Sequence, residues 1–321
     1  MTSKEIVRRS LYFNSPPRLP YCFPDNYGTD FMYTGLDPSP DARCARGTDE
    51  WGCIWDCISG SSLGEVKDSP LKDWGDFDKL SVPDATDENR YAKIKTAREE
   101  AGDKYIIMTV SSIYERVHFL RGFANAQTDI AECPENIRML VDLLTDMNLD
   151  IIKLSAGYDI DAIIMWDDWG LQDRLMIRPA VWREIWKPSY KRIYDAAHNA
   201  GMDVFLHSCG HIVEILDDLI EIGLDAIHMD QQENMGLKLL GRRFGGRLNF
   251  FSPVDIQKTM ASGSPDEIRA YCREMWRCLG TKKGGFIPRW YPDPNGAGHK
   301  MDNVNLMCEE FLKINKEEFG K

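Results

Sequence analysis

The 321-residue chain has no run of about 18 apolar residues, and its start, Met1-Thr2-Ser3-Lys4-Glu5-Ile6-Val7-Arg8-Arg9, lacks the apolar stretch of a secretory signal. Neither a membrane span nor an export leader is expected, and the chain reads as cytoplasmic. Positive charge is also in short supply: 39 Lys and Arg stand against 51 Asp and Glu, a net charge of −12. Such a protein repels a nucleic-acid backbone unless cations gather on one face. The densest basic stretch, Arg242-Arg243-Phe244-Gly245-Gly246-Arg247, reads as a helix end and turn. A disulfide framework is missing too. The nine cysteines (22, 44, 53, 57, 133, 209, 272, 278 and 308) are odd in number and scattered, unlike those of small secreted chains, so most read as buried thiols. Cys53-Ile54-Trp55-Asp56-Cys57 offers one thiol gap and no second pair to complete a zinc knuckle. No Gly-rich phosphate loop follows the early apolar runs, which disfavours a doubly wound dinucleotide fold.

What is present suits a globular enzyme: 43% hydrophobic and 28% charged residues, in a length that one α/β barrel domain spanning 1–321 can occupy. An opening helix is expected from Ser3 to Phe13, and a short strand over Leu19-Pro20-Tyr21-Cys22-Phe23-Pro24. Residues 25–90, rich in Gly, Pro, Asp and Trp, read as an irregular insertion over one face, a candidate lid. Beyond them the rhythm becomes strand then helix, the pattern of a parallel sheet. Strands are expected at 104–110, 162–166, 204–206, 226–229, 248–251 and 285–287, with helices at 134–147, 179–201, 212–222 and 265–279 among the connections. A closed barrel fits this order best.

Barrel chemistry sits at the C-terminal ends of the strands. The residues that follow the apolar runs here are polar at seven places: Cys22 and Asp25, Ser111 and Ser112, Asp167-Asp168, His207 and Cys209, Asp230-Gln231-Gln232, Ser252 and Asp255, and Arg289-Trp290-Tyr291. Their convergence on one rim implies a site. In His207-Ser208-Cys209 the ligand-bearing residues are two apart, so on an extended backbone both point the same way and can close on one ion; zinc accepts such an N/S pair. A lone pair of this kind is more often structural, but Asp230, at the next strand end, can approach as a third ligand, with Asp167 or Asp168 competing for the place. The Asp167-Asp168 doublet suits acid/base work, although adjacent residues face opposite ways and only one is expected in the pocket. Trp51, Trp55, Trp166, Trp169, Trp290 and Tyr291 offer an aromatic wall, or ordinary packing beneath loops. Cys22, Trp166, Gln232, Trp290 and Tyr291 are the expected substrate contacts.

These landmarks resemble the uroporphyrinogen decarboxylase-like superfamily, which includes zinc-dependent methyltransferases that exchange methyl groups with corrinoid proteins. The resemblance runs almost end to end, through Pro17-Arg18-Leu19-Pro20, Asp49-Glu50-Trp51-Gly52, Glu115-Arg116 to Leu120-Arg121-Gly122-Phe123, Asp167-Asp168-Trp169-Gly170-Leu171-Gln172, Lys187-Pro188, His207-Ser208-Cys209-Gly210, Gly223-Leu224-Asp225-Ala226, Asp255-Ile256-Gln257 and Ser264-Pro265-Asp266-Glu267. It implies a single distorted (β/α)8 TIM barrel, usually dimeric. True decarboxylases of the family carry Arg-Gln-x-x-Gly-Arg-Tyr after the first strand to neutralise porphyrinogen carboxylates; Cys22-Phe23-Pro24-Asp25-Asn26-Tyr27-Gly28 stands here instead. The methyltransferase branch carries His-x-Cys, which implies zinc on His207 and Cys209. Its further cysteine after the last strand is replaced by Phe286-Ile287-Pro288-Arg289-Trp290-Tyr291; the related cobalamin-independent methionine synthase barrel places a Glu at the strand end where Asp230 stands, and that resemblance implies Asp230 as third ligand. The resemblance thus implies a zinc-dependent enzyme moving methyl from a small donor, an aryl methyl ether above all, to the cobalt of a corrinoid partner protein, with Asp167, Asp168 and His207 as catalytic residues. A metal-free decarboxylase and a non-catalytic binding barrel are the alternatives.

Overall fold

The computed structural model describes residues 1–37, 47–57 and 64–320. Its strands are β1 (Phe31–Gly35), β2 (Gly47–Thr48), β3 (Ile54–Cys57), β4 (Gly64–Asp68), β5 (Tyr105–Thr109), β6 (Ala162–Trp166), β7 (Asp203–His207), β8 (Ala226–His228), β9 (Asn249–Ser252) and β10 (Phe286–Pro288). The main sheet is wholly parallel, in the order β1-β5-β6-β7-β8-β9-β10. Every strand lies beside its successor in the sheet and helices make most of the returns, so the sheet curls into a distorted TIM barrel. The seam lies between β10 and β1. There the Cys22 N–H donates to the Pro288 carbonyl and the Trp290 N–H to the Cys22 carbonyl, both at 3.0 Å, and Cys22 also bridges Thr29. The strand expected over Leu19–Pro24 is reduced to this single bridging residue. Pro20 and Pro24 have no N–H to extend a ladder.

Period-2 alternation divides the strands cleanly. Phe31, Tyr105, Ile107, Ala162, Ile164, Phe205, Ala226, Phe251 and Ile287 fill the lumen, joined from below by Val7 and Leu11 of the helix Ser3–Leu11. Phe31 stacks on Phe251 with ring centroids 5.0 Å apart. The intervening residues, among them Ile106, Ile163, Leu206, Ile227 and Phe250, pack outward against the helices. The first helix therefore plugs the N-terminal mouth of the barrel. Lys4 reinforces it with an ion pair to the buried Asp161 at 2.8 Å.

The helix expected at 134–147 runs on as Pro134–Ser155, and that at 179–201 divides into Pro179–Ile185 and Lys187–Asn199. Pro188 lies in the first turn of the second piece, where its missing N–H and ring favour a new start over continuation. Among the described residues no helix is long and apolar enough to cross a membrane.

Residues 25–90 are more ordered than expected. They contain β1, which pairs with β5 along its whole length, so the insertion begins only after it. The part of the expected lid at 38–46, with Cys44, and the part at 58–63 lie outside the described residues. Of the remainder, β2, β3 and β4 form an antiparallel sheet, followed by 3-10 helices at Trp74–Lys79 and Glu88–Tyr91. It is held to the helix Glu115–Arg121 by the Arg116–Asp49 ion pair at 2.9 Å. Trp55 donates its indole N–H to the same Asp49 and packs edge-on against Phe119.

Candidate functional site

Continuing the inward-facing register past the apolar lumen gives a top layer of different character: Tyr33, Thr109, Trp166, His207, His228 and Arg289 each stand two residues beyond a lumen side chain. Trp166, His207 and His228 are register partners on three adjoining strands. The Trp166 ring lies 4.8 Å from that of His207 and 5.1 Å from that of His228.

His207, Cys209 and Asp168 converge. The Cys209 Sγ lies 3.5 Å from His207 Nε2, and Asp168 Oδ1 lies 3.3 Å from the same nitrogen. All three ligand atoms fall within 4.8 Å of one another. Asp168 also accepts the Cys209 backbone N–H at 2.7 Å. Behind this group, His207 Nδ1 meets His228 Nδ1 at 2.6 Å. Burial pushes the Cys209 thiol up to about 11 despite the neighbouring imidazole. Burial also works against charge on His207, but Cys209 and Asp168 outweigh it and hold His207 well above its ordinary range. The His228 imidazole is driven far down by burial, by Arg289 and by His207, and is neutral.

Two glycines set this spacing. Gly210 has φ +78°, and a Cβ there would collide with the backbone of Gly170; a Cβ on Gly170 would collide with that of Gly210 and His211. Two backbone hydrogen bonds, Gly170 N–H to Cys209 carbonyl (3.1 Å) and His211 N–H to Leu171 carbonyl (2.7 Å), lock the two loops together. Asp168 is thereby carried to the His207-Cys209 turn by backbone contact.

Asp167 faces the other way. It is wholly buried, and its carboxylate accepts the N–H groups of Ile113 (3.2 Å), Tyr114 (2.8 Å) and Glu115 (2.9 Å) at the start of the helix Glu115–Arg121, together with the Tyr190 hydroxyl (2.7 Å). Burial pushes its pKa up to about 6 against those four donors. All its lone pairs are engaged away from the cavity, so it anchors the strand end and has no reach to a substrate.

Two cavities open at the rim. The first, about 510 Å³, is lined by Glu115, Phe119, Trp166, Asp168, His207, Cys209, Asp230, Arg289 and Tyr291 among others. The second, about 660 Å³, is lined by residues that include Cys22, Phe23, Phe31, Tyr33, Thr109, Trp166, His228, Arg289 and Trp290. Trp166, Arg289 and Pro292 belong to both walls.

The predicted residues thus separate. His207 and Cys209 meet as expected, but Asp230, expected as third ligand, is turned to Arg289, with which it forms a buried ion pair. Its charge is drawn to the adjacent guanidinium, and the place near the imidazole and thiol is taken by Asp168. Asp167, expected as catalytic, is the anchor just described. Trp166 and Tyr291 line the first cavity, Cys22, Trp166 and Trp290 the second. Gln232 lines neither: it is buried, donating to the Pro253 carbonyl (2.8 Å) and the Tyr271 hydroxyl (3.2 Å). Trp51, Trp55 and Trp169 are packing residues, with Trp169 stacked on Tyr114 at 3.6 Å. His228 was not singled out by sequence, and Arg289 was named on the rim without a role. The two-residue steps Ala226 to His228 and Ile287 to Arg289 were the available signal, because they repeat the step from Phe205 to His207.

Similarity to known proteins agrees with this architecture. A solved structure, a methyltransferase from Methanosarcina mazei, superposes with a TM-score of 0.72 at 15% identity, over 98% of this chain and 99% of that one. At that identity the likeness speaks for the fold. A curated relative, the uroporphyrinogen decarboxylase of Magnetococcus marinus, is 24% identical over 276 residues, covering 79% of this chain and 73% of its own length. The uroporphyrinogen decarboxylase (URO-D) family model matches residues 51–288, from Trp51 through the metal-type triad to the end of β10, and the chain belongs to that family.

Proposed function

We propose that this protein is a zinc-dependent methyltransferase that moves a methyl group from a small donor to the cobalt of a separate corrinoid protein. The observation that carries the reading is the convergence of Asp168, His207 and Cys209 on one point of the rim. An N, S and O donor set suits zinc, and three protein ligands leave a fourth position for a substrate, the pattern of catalytic rather than structural zinc. When bound, zinc supplies Lewis acidity that makes the heteroatom released from the methyl group a better leaving group.

The chain's own residues do the rest. His228 takes the Nδ1 side of His207 and so turns its Nε2 toward Cys209 and Asp168. Asp168 holds the Cys209 backbone as well as offering its oxygen, which keeps thiol and imidazole on one side. Trp166 and Tyr291 wall the first cavity with aromatic surface that suits a flat donor such as an aryl methyl ether.

The decarboxylase reading draws support from the name of the 24% identical relative. The walls speak against it. Among the described residues lining the two cavities Arg289 is the single Lys or Arg, and Asp230 already neutralises it. A polycarboxylate substrate needs several free guanidinium groups.

The test is direct. The purified protein, loaded with zinc, is mixed with a reduced corrinoid protein and a panel of methoxyphenols, methylamines and methylthiols, and methylation of cobalt is followed in the visible spectrum. Transfer from one donor class, abolished in Cys209→Ser, is expected. Full transfer activity after stringent chelation would overturn the zinc mechanism, and no transfer from any donor would overturn the methyltransferase reading.

A further inference from the structure

Arginine in this acidic chain is nearly always matched by a carboxylate. Among the described residues every arginine except Arg178, Arg242 and Arg277 stands in an ion pair with Asp or Glu. Two of the three exceptions meet in one place. In the basic stretch 242–247, Arg243 and Arg247 both pair with Asp217, but Arg242 opens onto a concavity of about 340 Å³ on the outer surface. Its lining is Lys238, Gly241, Arg242, Arg277 and Cys278: three cations, no carboxylate and no aromatic ring. Glu274 comes no nearer to Lys238 Nζ than 3.9 Å and lines a separate groove with Tyr271.

The packing of two helices gathers these charges. The helices Leu237–Phe244 and Pro265–Leu279 touch backbone to backbone, because a Cβ on Gly241 would stand 2.0 Å from the Cys278 carbonyl oxygen. That approach sets Arg242, the neighbour of Gly241, beside Arg277, the neighbour of Cys278. Lys238 lies one turn before Arg242, a spacing at which like charges repel. Arg277 is held in place by its Nε, which donates to the Arg273 carbonyl at 3.1 Å and leaves the two terminal nitrogens without a partner among the described residues. Neutralising helix ends explains only part of the cluster. Arg242 and Arg277 occupy last turns, where a cation suits the helix dipole, but Lys238 occupies a first turn, where the dipole opposes it. A counter-charge from outside the chain relieves both the repulsion and the mismatch.

We propose that this concavity binds a small oxyanion of the diphosphate class. Two guanidinium forks and one ammonium offer the bidentate and point-charge contacts that the oxygens of two phosphoryl groups take. The volume is at the small end of ligand pockets, and a wall without an aromatic ring gives a nucleobase nothing to stack on. The last turns of the two helices lead into β9 and β10, so the concavity lies at the end of the barrel opposite the rim. Binding there stands apart from the methyl-transfer reading.

The experiment uses the full chain, freed of metal by chelation and dialysed into low-salt buffer, because the probe itself binds zinc. Inorganic pyrophosphate is titrated by calorimetry. Saturable binding is expected, tighter than that of orthophosphate and weakening as sodium chloride is added. Arg242→Gln and Arg277→Gln are each expected to weaken it about tenfold, through loss of a charge-assisted contact. Arg178→Gln, which removes the unpaired arginine outside the concavity, is expected to leave it unchanged. In the native protein pyrophosphate is expected to protect Cys278 from alkylation by iodoacetamide and to leave Cys133 as reactive as before, read by mass spectrometry. No saturable binding, orthophosphate bound as tightly, an equal loss in Arg178→Gln, or undiminished alkylation of Cys278 at saturation would overturn the proposal, the last without need of any variant. Because neither zinc nor cobalt is present, failed methyl transfer leaves this result untouched.

Discussion

Replacing Asp168 and Asp230 in turn separates two accounts of the metal-type centre that the sequence left open. Asp168 Oδ1 stands 3.3 Å from His207 Nε2, whereas Asp230 is committed to Arg289. Four-ligand structural zinc sites bind with roughly 10–16 kcal/mol, or about 3 kcal/mol per ligand. Asp168→Ala should therefore weaken zinc about 100-fold, since each 1.4 kcal/mol is about tenfold. Asp168→Asn keeps an acceptor for the Cys209 N–H but drops the charge, and should fall between that variant and the native protein. Asp230→Asn should hold zinc within about threefold of native. It should instead lose about 3–5 kcal/mol of folding stability, because Arg289 would be left buried without its counter-charge. Zinc affinity is measured by competition with a chromophoric chelator, and stability by urea unfolding of the same preparations. Stoichiometric, undiminished zinc in Asp168→Ala, or a 100-fold loss in Asp230→Asn, would refute the assignment of Asp168.

Three further outcomes are expected. Gly210→Ala should cost several kcal/mol and lower zinc affinity with it, because φ +78° and the Gly170 backbone leave a Cβ no space; retained zinc binding at native stability would count against the lock between the two loops. Asp167→Ala should destabilise the fold by about 3–5 kcal/mol by stripping an acceptor from three backbone N–H groups and Tyr190, read by urea unfolding. His118, whose pKa burial lowers from 6.5 to about 4, takes up a proton in the unfolded chain before it does so in the folded one. Its contribution is complete above pH 6.5 and is lost as pH falls toward 4, about 3 kcal/mol in all. In His118→Gln the acid side of the stability curve between those values should flatten by about that amount, measured by urea unfolding at stepped pH.

Much of the barrel could be read in the sequence because the strands β5 to β10 are apolar on both faces and separated by helical periods, the pattern of a buried parallel sheet. The helix Pro265–Leu279 fell on its expected bounds because a capping box at Ser264 and Glu267, Pro265 in the first turn and Gly280 beyond its end mark both termini. β1 was hidden for the opposite reason. Phe-Met-Tyr-Thr-Gly is short, half-covered, and embedded among turn residues, so its partner β5, not its composition, makes it a strand. At the site, His207 and Cys209 share one turn and were visible as a local pattern. Asp168 joins them through the contact of Gly170 with Gly210, 40 residues apart in sequence and hence beyond local reading. Asp230 and Arg289 were both read onto the rim, but not as a pair, and it is the guanidinium that decides where that carboxylate turns. Nothing in the sequence sets His228 apart within the expected strand 226–229, and only the register against β7 brings it to His207.

The helix Ser3–Leu11 has a kinetic consequence. With Val7 and Leu11 stopping the barrel from below, the axis is a blind well, not a passage, and traffic along it enters and leaves by the same mouth. Under the proposed function a vessel with one opening would impose order: the small donor would go in first, and the large partner on the rim would arrive last and depart first, making turnover sequential.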